Sequence, residues 1–235
     1  MHSRKTVGCE LCGLWRICFP GRVASAAGRR LHGLRIRRMR VTRGNSLFRS
    51  GDKVESFYMI RSGCIKELDY STGKRGSVIN FCLPGEMLSL QSLGSVCSNT
   101  TSVAVEASFV CVVPWAAFNS LCAESPSVAA EFIRLIAKAG TAARDLLTLI
   151  RDKEALARVS GFLLNLSARL QIRGVREREF RLGMNRDDIA DYLGLRSETI
   201  SRCFTELARR GLIKVRAKRV QILQAAELRS VFYSD

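Results

Sequence analysis

The chain has 235 residues, 47% hydrophobic and 25% charged, a balance that suits one large or two modest globular domains and excludes a disordered chain. Its formal net charge of +17 favours a polyanionic partner, because Lys and Arg displace counterions from phosphates; a basic surface kept for solubility is the plainer account. The most apolar stretch, Val103 to Phe118, is too short to span a membrane and is broken by Glu106 and Pro114, and Arg4 and Lys5 precede no apolar signal core.

The expected compartment is the cytoplasm, where the nine cysteines are better suited to metal or redox chemistry than to disulfides. Residues 1–18 carry Cys9, Cys12 and Cys18 in a C-x2-C-x5-C pattern. Three thiols so close in sequence can converge on one soft metal centre. The fourth ligand must then come from Cys64, Cys82, Cys97, Cys111, Cys122 or Cys203. Spacing leaves zinc, an iron–sulfur cluster and a thiol switch open. There is no second C-x2-C, and His2 and His32 are poor zinc partners. Iron–sulfur clusters commonly take one ligand from a distant part of the chain. Residues 19–51 hold nine arginines and no acid, and their weak periodicity assigns no element.

From about Asn45 to Trp115, short β-branched and aromatic runs predict strands: Phe57–Ile60, Gly76–Phe81 and Phe109–Val113. Gly44, Gly51, Gly63, Gly73, Gly85 and Gly94 punctuate them, as in an antiparallel barrel or sandwich. Ser125-Pro126-Ser127 opens a helical stretch in which Val128, Phe132, Leu135, Ile136, Ala139, Ala143, Leu146, Leu147 and Ile150 recur at helical spacing. Such a long amphipathic helix can pair with its own copy; packing wholly on its own barrel is the alternative.

From about Arg151 a second domain is expected. It has helices over Ala155–Leu170, Asn185–Leu193 and Ser197–Arg209, then a hairpin over Leu212–Leu223 with Ala217-Lys218-Arg219 near its tip. Asn185 and Asp188 suit a helix-start box, Ala190 a close helix crossing, Gly194 a tight turn, and Ile200 an anchor between the two helices. Together these requirements define a helix-turn-helix, whose second helix enters the major groove. Ser197, Glu198, Ser201 and Arg202 are its candidate base-reading residues: Glu accepts from cytosine N4, and Arg donates twice to guanine. Glu198 and Arg202, four apart, can equally form an exposed pair. Lys214, Arg216, Lys218 and Arg219 suit phosphate contacts.

These residues resemble the FNR branch of the CRP/FNR family of transcription regulators over nearly the whole chain. Cys9, Cys12 and Cys18 match the family's spacing, and Cys111, just before Pro114-Trp115, resembles its fourth cluster ligand. Ile60-Arg-Ser-Gly-Cys-Ile-Lys66 and Leu83-Pro-Gly-Glu86 resemble β-roll signatures, and Glu198-Thr-Ile-Ser-Arg202 resembles a recognition helix for TTGAT-type half-sites.

The resemblance implies an α+β protein: a cysteine-bearing segment and basic stretch (1–43), a cyclic-nucleotide-binding-like β-roll (44–124), a dimerisation helix (125–152) and a winged helix (153–235). It implies an oxygen-labile [4Fe–4S] cluster on Cys9, Cys12, Cys18 and Cys111 that controls dimerisation. The implied partners are near-palindromic DNA, a second copy of the chain, and RNA polymerase. The remaining five cysteines would be buried and inert.

Three places depart from the family. Gly21 to Arg43 is arginine-rich where an acidic helix is usual, and Lys74 replaces an acid in a polymerase-contacting loop. Ala143 stands where an aspartate repels its copy across the dimer axis, so its presence favours the dimer. A cyclic-nucleotide sensor lacks support, because no Arg-Ser or Arg-Thr occurs within Ser95 to Val105. A thiol or other metal sensor in the same fold, or an iron–sulfur or thiol redox enzyme, are the other readings. With no nucleophile–base constellation, no suitable phosphate loop and few histidines, the expectation is a regulator and not an enzyme.

Overall fold

The structure, a computed structural model, describes residues 9, 12–14, 17–19, 22, 36–71, 75–92, 94–171 and 179–233, with the side chains of 142, 143 and 145–152 left out. His2, His32, Gly73, Lys74, most of the arginine-rich segment and the side chain of Ala143 therefore lie outside the described residues. The chain divides into two compact units, Met1–Gly140 and Thr141–Asp235.

The first unit is built on two four-stranded antiparallel sheets. Strands β1 (Arg37–Val41), β3 (Ser56–Ser62), β6 (Met87–Leu88) and β8 (Ser108–Pro114) form one, in the order β1–β8–β3–β6. Strands β2 (Ser46–Phe48), β4 (Ile65–Asp69), β5 (Ser77–Cys82) and β7 (Thr100–Ala104) form the other, in the order β2–β7–β4–β5. Ile60, Val110 and Val112 of the first sheet meet Phe48, Ile65, Cys82 and Ala104 of the second in a common core. Successive strand residues face opposite ways. The other face of the first sheet therefore presents Phe57, Met59 and Val113 to a second apolar cluster, shared with Phe118, Leu121, Val128 and Phe132.

Helix α1 (Trp115–Glu124), which sequence periodicity did not separate from its neighbours, supplies Phe118 and Leu121. Helix α2 (Pro126–Asp152) supplies Val128 and Phe132. Ile133 and Ile136 of α2 lie off that buried face and are 65% and 39% exposed.

In the second unit, α3 (Ala155–Gln171), α4 (Arg186–Leu193), α5 (Ser197–Arg209) and α6 (Ala225–Tyr233) accompany a small sheet of order β10–β11–β9. Its strands are β9 (Glu179–Arg181), β10 (Ile213–Arg216) and β11 (Arg219–Ile222). Val159, Leu163, Ile189, Leu193, Ile200, Leu207, Val220 and Leu228 are fully buried, one apolar stripe from each helix and one residue from the hairpin. Such stripes are what amphipathic helices need to bury.

The β3–β4 turn depends on Gly63. Its φ is +87°, and a Cβ there would collide with Ser108 Oγ and lie 2.8 Å from Ala107 O. Gly63→Ala should destabilise the protein by about 2 kcal/mol or more. Urea unfolding of the purified variant tests this, and an unchanged midpoint would show that the turn can relax around the added methyl.

Candidate functional site

Two places concentrate chemistry, one in each unit. In the first, backbone turns fold the cysteine segment onto the outer face of the β1–β8–β3–β6 sheet. Cys12 N donates to Cys9 O at 2.9 Å, Cys18 N to Leu14 O at 2.8 Å, and Arg22 N to Cys18 O at 3.1 Å. These turns bring Cys9, Cys12 and Cys18 to the wall of one cleft, together with Cys111. Cys111 reaches it because β8 alternates: Val110 and Val112 point into the roll and Cys111 points out. Leu14, Ile36, Met59, Ile60, Arg38 and Arg61 complete the lining.

The other thiols lie elsewhere. Cys64, Cys82 and Cys203 are buried, as an inert role requires, but Cys97 and Cys122 are half-buried, contrary to the expectation that all five would be enclosed. Cys97 lies at an isolated bridge with Lys53, and Cys122 lies at the margin of the apolar cluster under α1.

Cys111 feels the charge of two of the other thiols. Burial pushes the Cys111 thiol above its ordinary range, and the Cys9 and Cys12 sulfurs push it further, while Arg38 and Arg61 pull it down. Like charge beside Cys111 disfavours its thiolate, and a cationic neighbour favours it. Among the described residues no three His, Cys, Asp or Glu groups can hold a single metal ion. A tetrahedral zinc site would need sulfurs ~3.8 Å apart, given a Zn–S bond near 2.3 Å. The donors that line the cleft are four soft thiols.

The segment is fastened to α2 as well as to the sheet. Phe19 is 3% exposed. Its ring lies 5.4 Å from that of Phe118, 5.5 Å from Phe132 and 6.2 Å from Phe57. One turn on, Arg22 pairs with Glu131 of α2 at 2.6 Å. The Glu131 side chain is only 10% exposed and also accepts from Arg134 at 2.9 Å. Sequence reading missed Phe19, Arg22 and Glu131, since nothing local marks partners over a hundred positions apart.

Inside the roll, the Glu67 carboxylate is 1% exposed and accepts from Ser89 N at 3.1 Å and Asn80 Nδ2 at 3.0 Å. Glu86, which resembles the start of a nucleotide cassette, accepts from Leu83 N of its own turn at 2.9 Å. A buried carboxylate, with no arginine in Ser95 to Val105, is a poor host for a phosphodiester.

In the second unit the helix-start box is present: Asp188 N donates to Asn185 Oδ1 at 2.7 Å, and the Asp188 carboxylate accepts from Asn185 N. Gly194 ends α4 with φ +62° and ψ +38°, the left-handed turn that lets α5 start three residues later. Ile200 and Ala190 are buried between helices, so α5 presents Glu198, Ser201 and Arg202 outward.

Ser197 is half-buried, and its carbonyl accepts from Ser201 Oγ at 3.0 Å. Arg202 pairs with Glu198 at 2.6 Å while both stay largely exposed, at 78% and 73%. Thr205, four residues beyond Ser201, shares this exposed face and escaped the sequence reading. Arg209 and Arg210 are held by Glu206, whose carboxyl their hydrogen bonds lower to about 2. Lys214, Arg216, Lys218 and Arg219 are exposed on the β10–β11 hairpin, and Arg219 also pairs with Glu179 at 3.3 Å. No described helix is long and apolar enough to cross a membrane.

A β-roll joined in one chain to a helix-turn-helix with a basic wing defines a DNA-binding regulator. The profile of the cyclic nucleotide-binding domain matches residues 38–125 and that of the Crp-like helix-turn-helix domain residues 157–231. The chain is 32% identical over 216 residues to the fumarate and nitrate reduction regulatory protein of Escherichia coli K12, covering 92% of this chain and 86% of the relative. It is 32% identical over 220 residues to the transcriptional activator protein anr of Pseudomonas aeruginosa, covering 94% and 90%. The structure of FixK2 from Bradyrhizobium japonicum superposes with a TM-score of 0.76 at 24% identity, covering 85% of this chain and 98% of that one. The chain belongs to the CRP/FNR family and is a transcription regulator of its FNR type, not an enzyme.

Arg202→Ala should remove most discrimination between specific and random DNA, by about 1–3 kcal/mol per half-site. Binding to random DNA should persist through the basic surface. Titrations of both duplexes at fixed salt measure the ratio, and an equal loss on both would exclude base reading by this residue.

Proposed function

We propose that this regulator senses oxygen or redox state through a [4Fe–4S] cluster held by Cys9, Cys12, Cys18 and Cys111. The observation that carries this reading is the single cleft lined by those four thiols, three from a short segment and one from β8. We assign residues 1–43 to the cysteine-bearing segment, 44–124 to the sensor roll, 125–152 to the dimerisation helix and 153–235 to DNA binding. Ser197, Glu198, Ser201 and Arg202 would read near-palindromic, TTGAT-type half-sites for a cytoplasmic homodimer that works with RNA polymerase. The FNR-type relatives support the cofactor and the dimer.

When bound, the cluster supplies iron–thiolate bonds that oxygen can break. The protein's own residues do the rest. The four thiolates hold the segment against β8, and Leu14, Ile36, Met59 and Ile60 limit water there. With the segment seated, Phe19 fills the space between Phe57, Phe118 and Phe132, and Arg22 neutralises the nearly enclosed Glu131. Both anchors end on the first turns of α2, three residues or fewer from exposed Ile133.

Ile133, Ile136 and Gly140 recur at i, i+3 and i+7, the spacing of a helix seam between two copies. Burying Phe19 contributes at most about 3 kcal/mol. Moving a dimer from scarce to dominant needs about 5.5 kcal/mol of differential stabilisation. A dimer carries both anchors twice, so together they are of the size such a shift needs.

Anaerobic reconstitution of the full chain tests the cluster. Wild type should take up iron and sulfide and gain visible absorption that air removes. Replacing Cys9, Cys12, Cys18 or Cys111 singly by Ser should abolish both, and replacing Cys97 or Cys122 should not. Uptake of zinc without iron would sink the cluster reading and leave the regulator.

Ile136→Asp should weaken the anaerobic dimer about a hundredfold, because two isoleucines lose burial and two acids approach each other. Sedimentation over a concentration series measures it, and an unaltered dissociation constant would move the interface off this stripe.

A further inference from the structure

We propose that Arg38 and Arg61 are the charge-compensating residues of the cysteine cleft, holding its anionic contents in place and opposing their oxidation. This rests on the cluster reading above. Strand register provides the geometry. Arg38 of β1 lies directly opposite Cys111 of β8, and Met59 of β3 lies opposite Cys111 on the other side. Arg61 follows Met59 by two residues, at the irregularity where the β3–β8 register shifts between Ile60 and Ser62, and it lines the same cleft. The two guanidinium groups therefore flank the one ligand that comes from the sheet, and both line the cleft.

Neither arginine is explained by the fold. Both are half-buried, and among the described residues neither forms an ion pair with a carboxylate. By contrast, Arg22, Arg134, Arg202, Arg209, Arg210 and Arg219 each pair with a carboxylate, and none of these six lines the cleft. The rest of the described wall is apolar or thiol: Leu14, Ile36, Met59, Ile60 and the four cysteines. A net negative charge in such surroundings is costly unless it is compensated.

Four thiolates around a dipositive iron–sulfur core carry two negative charges, and Arg38 and Arg61 carry two positive ones. When dioxygen takes an electron and leaves as superoxide, the charge facing the two guanidiniums becomes less negative. Their attraction is then partly lost, so they oppose that step. Net charge and hydrogen bonding to sulfur are established determinants of cluster potential.

The test uses the full chain, reconstituted anaerobically, as wild type, R38Q/R61Q, R38K/R61K and R37Q. Arg37 is exposed on the same strand and does not line the cleft, so it controls for overall charge. Iron and sulfide per chain, the midpoint potential and the half-life of visible absorption in air are measured. R38Q/R61Q should lose its absorption about tenfold faster than wild type and have a lower potential, as removal of two nearby charges predicts. R38K/R61K and R37Q should stay within about twofold of wild type, since lysine keeps the charge.

Equal half-lives and potentials for wild type and R38Q/R61Q would overturn the inference while leaving the cluster intact. The same acceleration in R37Q would overturn it too, by making total charge the cause. Absence of iron from the wild type would bring down the cluster reading and this inference together.

Discussion

The outward turn of alternate residues on β8 is the constraint on which the rest of the first unit depends. Val110 and Val112 face the interior between the sheets, and that burial sets the register of the strand. A slip by one residue would take both valines out of the space between the sheets and put Cys111 there instead. With the register set, Cys111 and Val113 must lie on the opposite face, where the cysteine segment, α1 and the start of α2 gather. Core packing thus positions the distant thiol without any interaction devoted to that purpose. Arg38 and Arg61 are placed by the same register, through pairing of β1 and β3 to β8. A sheet is a stiffer platform than a loop for such groups.

Most of the second unit was legible in sequence because its determinants are contiguous. Asn185, Asp188, Ala190, Gly194 and Ile200 lie within sixteen positions, and each has one local geometric task that the structure shows it performing. The first unit was legible where apolar alternation is strong, as in β3 and β8. It was not legible in β1, Arg37–Val41, an edge strand that buries only Val41. Helix α1 escaped because Pro114 and Trp115 read as the end of a strand, and Pro126 as the start of the next helix. The thiol cleft was half legible: Cys9, Cys12 and Cys18 announce themselves by spacing, whereas the choice of Cys111 among six candidates came from resemblance alone. The arginines of the cleft and the Arg22–Glu131 pair had no local signal, because strand register and helix packing create them.

Glu131 also shows why the cysteine segment matters to α2. A carboxylate with 10% side-chain exposure is tolerable while Arg22 and Arg134 face it. Without Arg22, it keeps Arg134 on its own helix, while Phe132, next in sequence, loses the Phe19 ring. A buried charge that loses one of its two partners and an opened aromatic cavity both cost free energy. The first turns of α2 would then relax toward another arrangement, and Ile133 lies within one turn of Glu131. Under the proposed mechanism, loss of the segment would therefore reach the dimer stripe by direct packing.

The DNA-reading helix makes clear why control of dimerisation would suffice to control binding. Arg202 is already paired with Glu198, but the pair is exposed, and such pairs contribute only about 0–1 kcal/mol. If Arg202 reads a base as proposed, the pairing would orient the guanidinium and give little resistance to its transfer. One half-site then offers about 1–3 kcal/mol of discrimination per good bidentate contact. With a net charge of +17, attraction to any duplex is strong, and the basic wing adds to it without regard to sequence. A monomer would therefore spread over random DNA. Two copies joined along α2 would add their half-site discriminations, while their contacts to random phosphates stay available on every competing duplex. The specific-to-random ratio thus grows with the dimer population more steeply than affinity itself, and a sensor that biases dimerisation acts on the term that selects the operator.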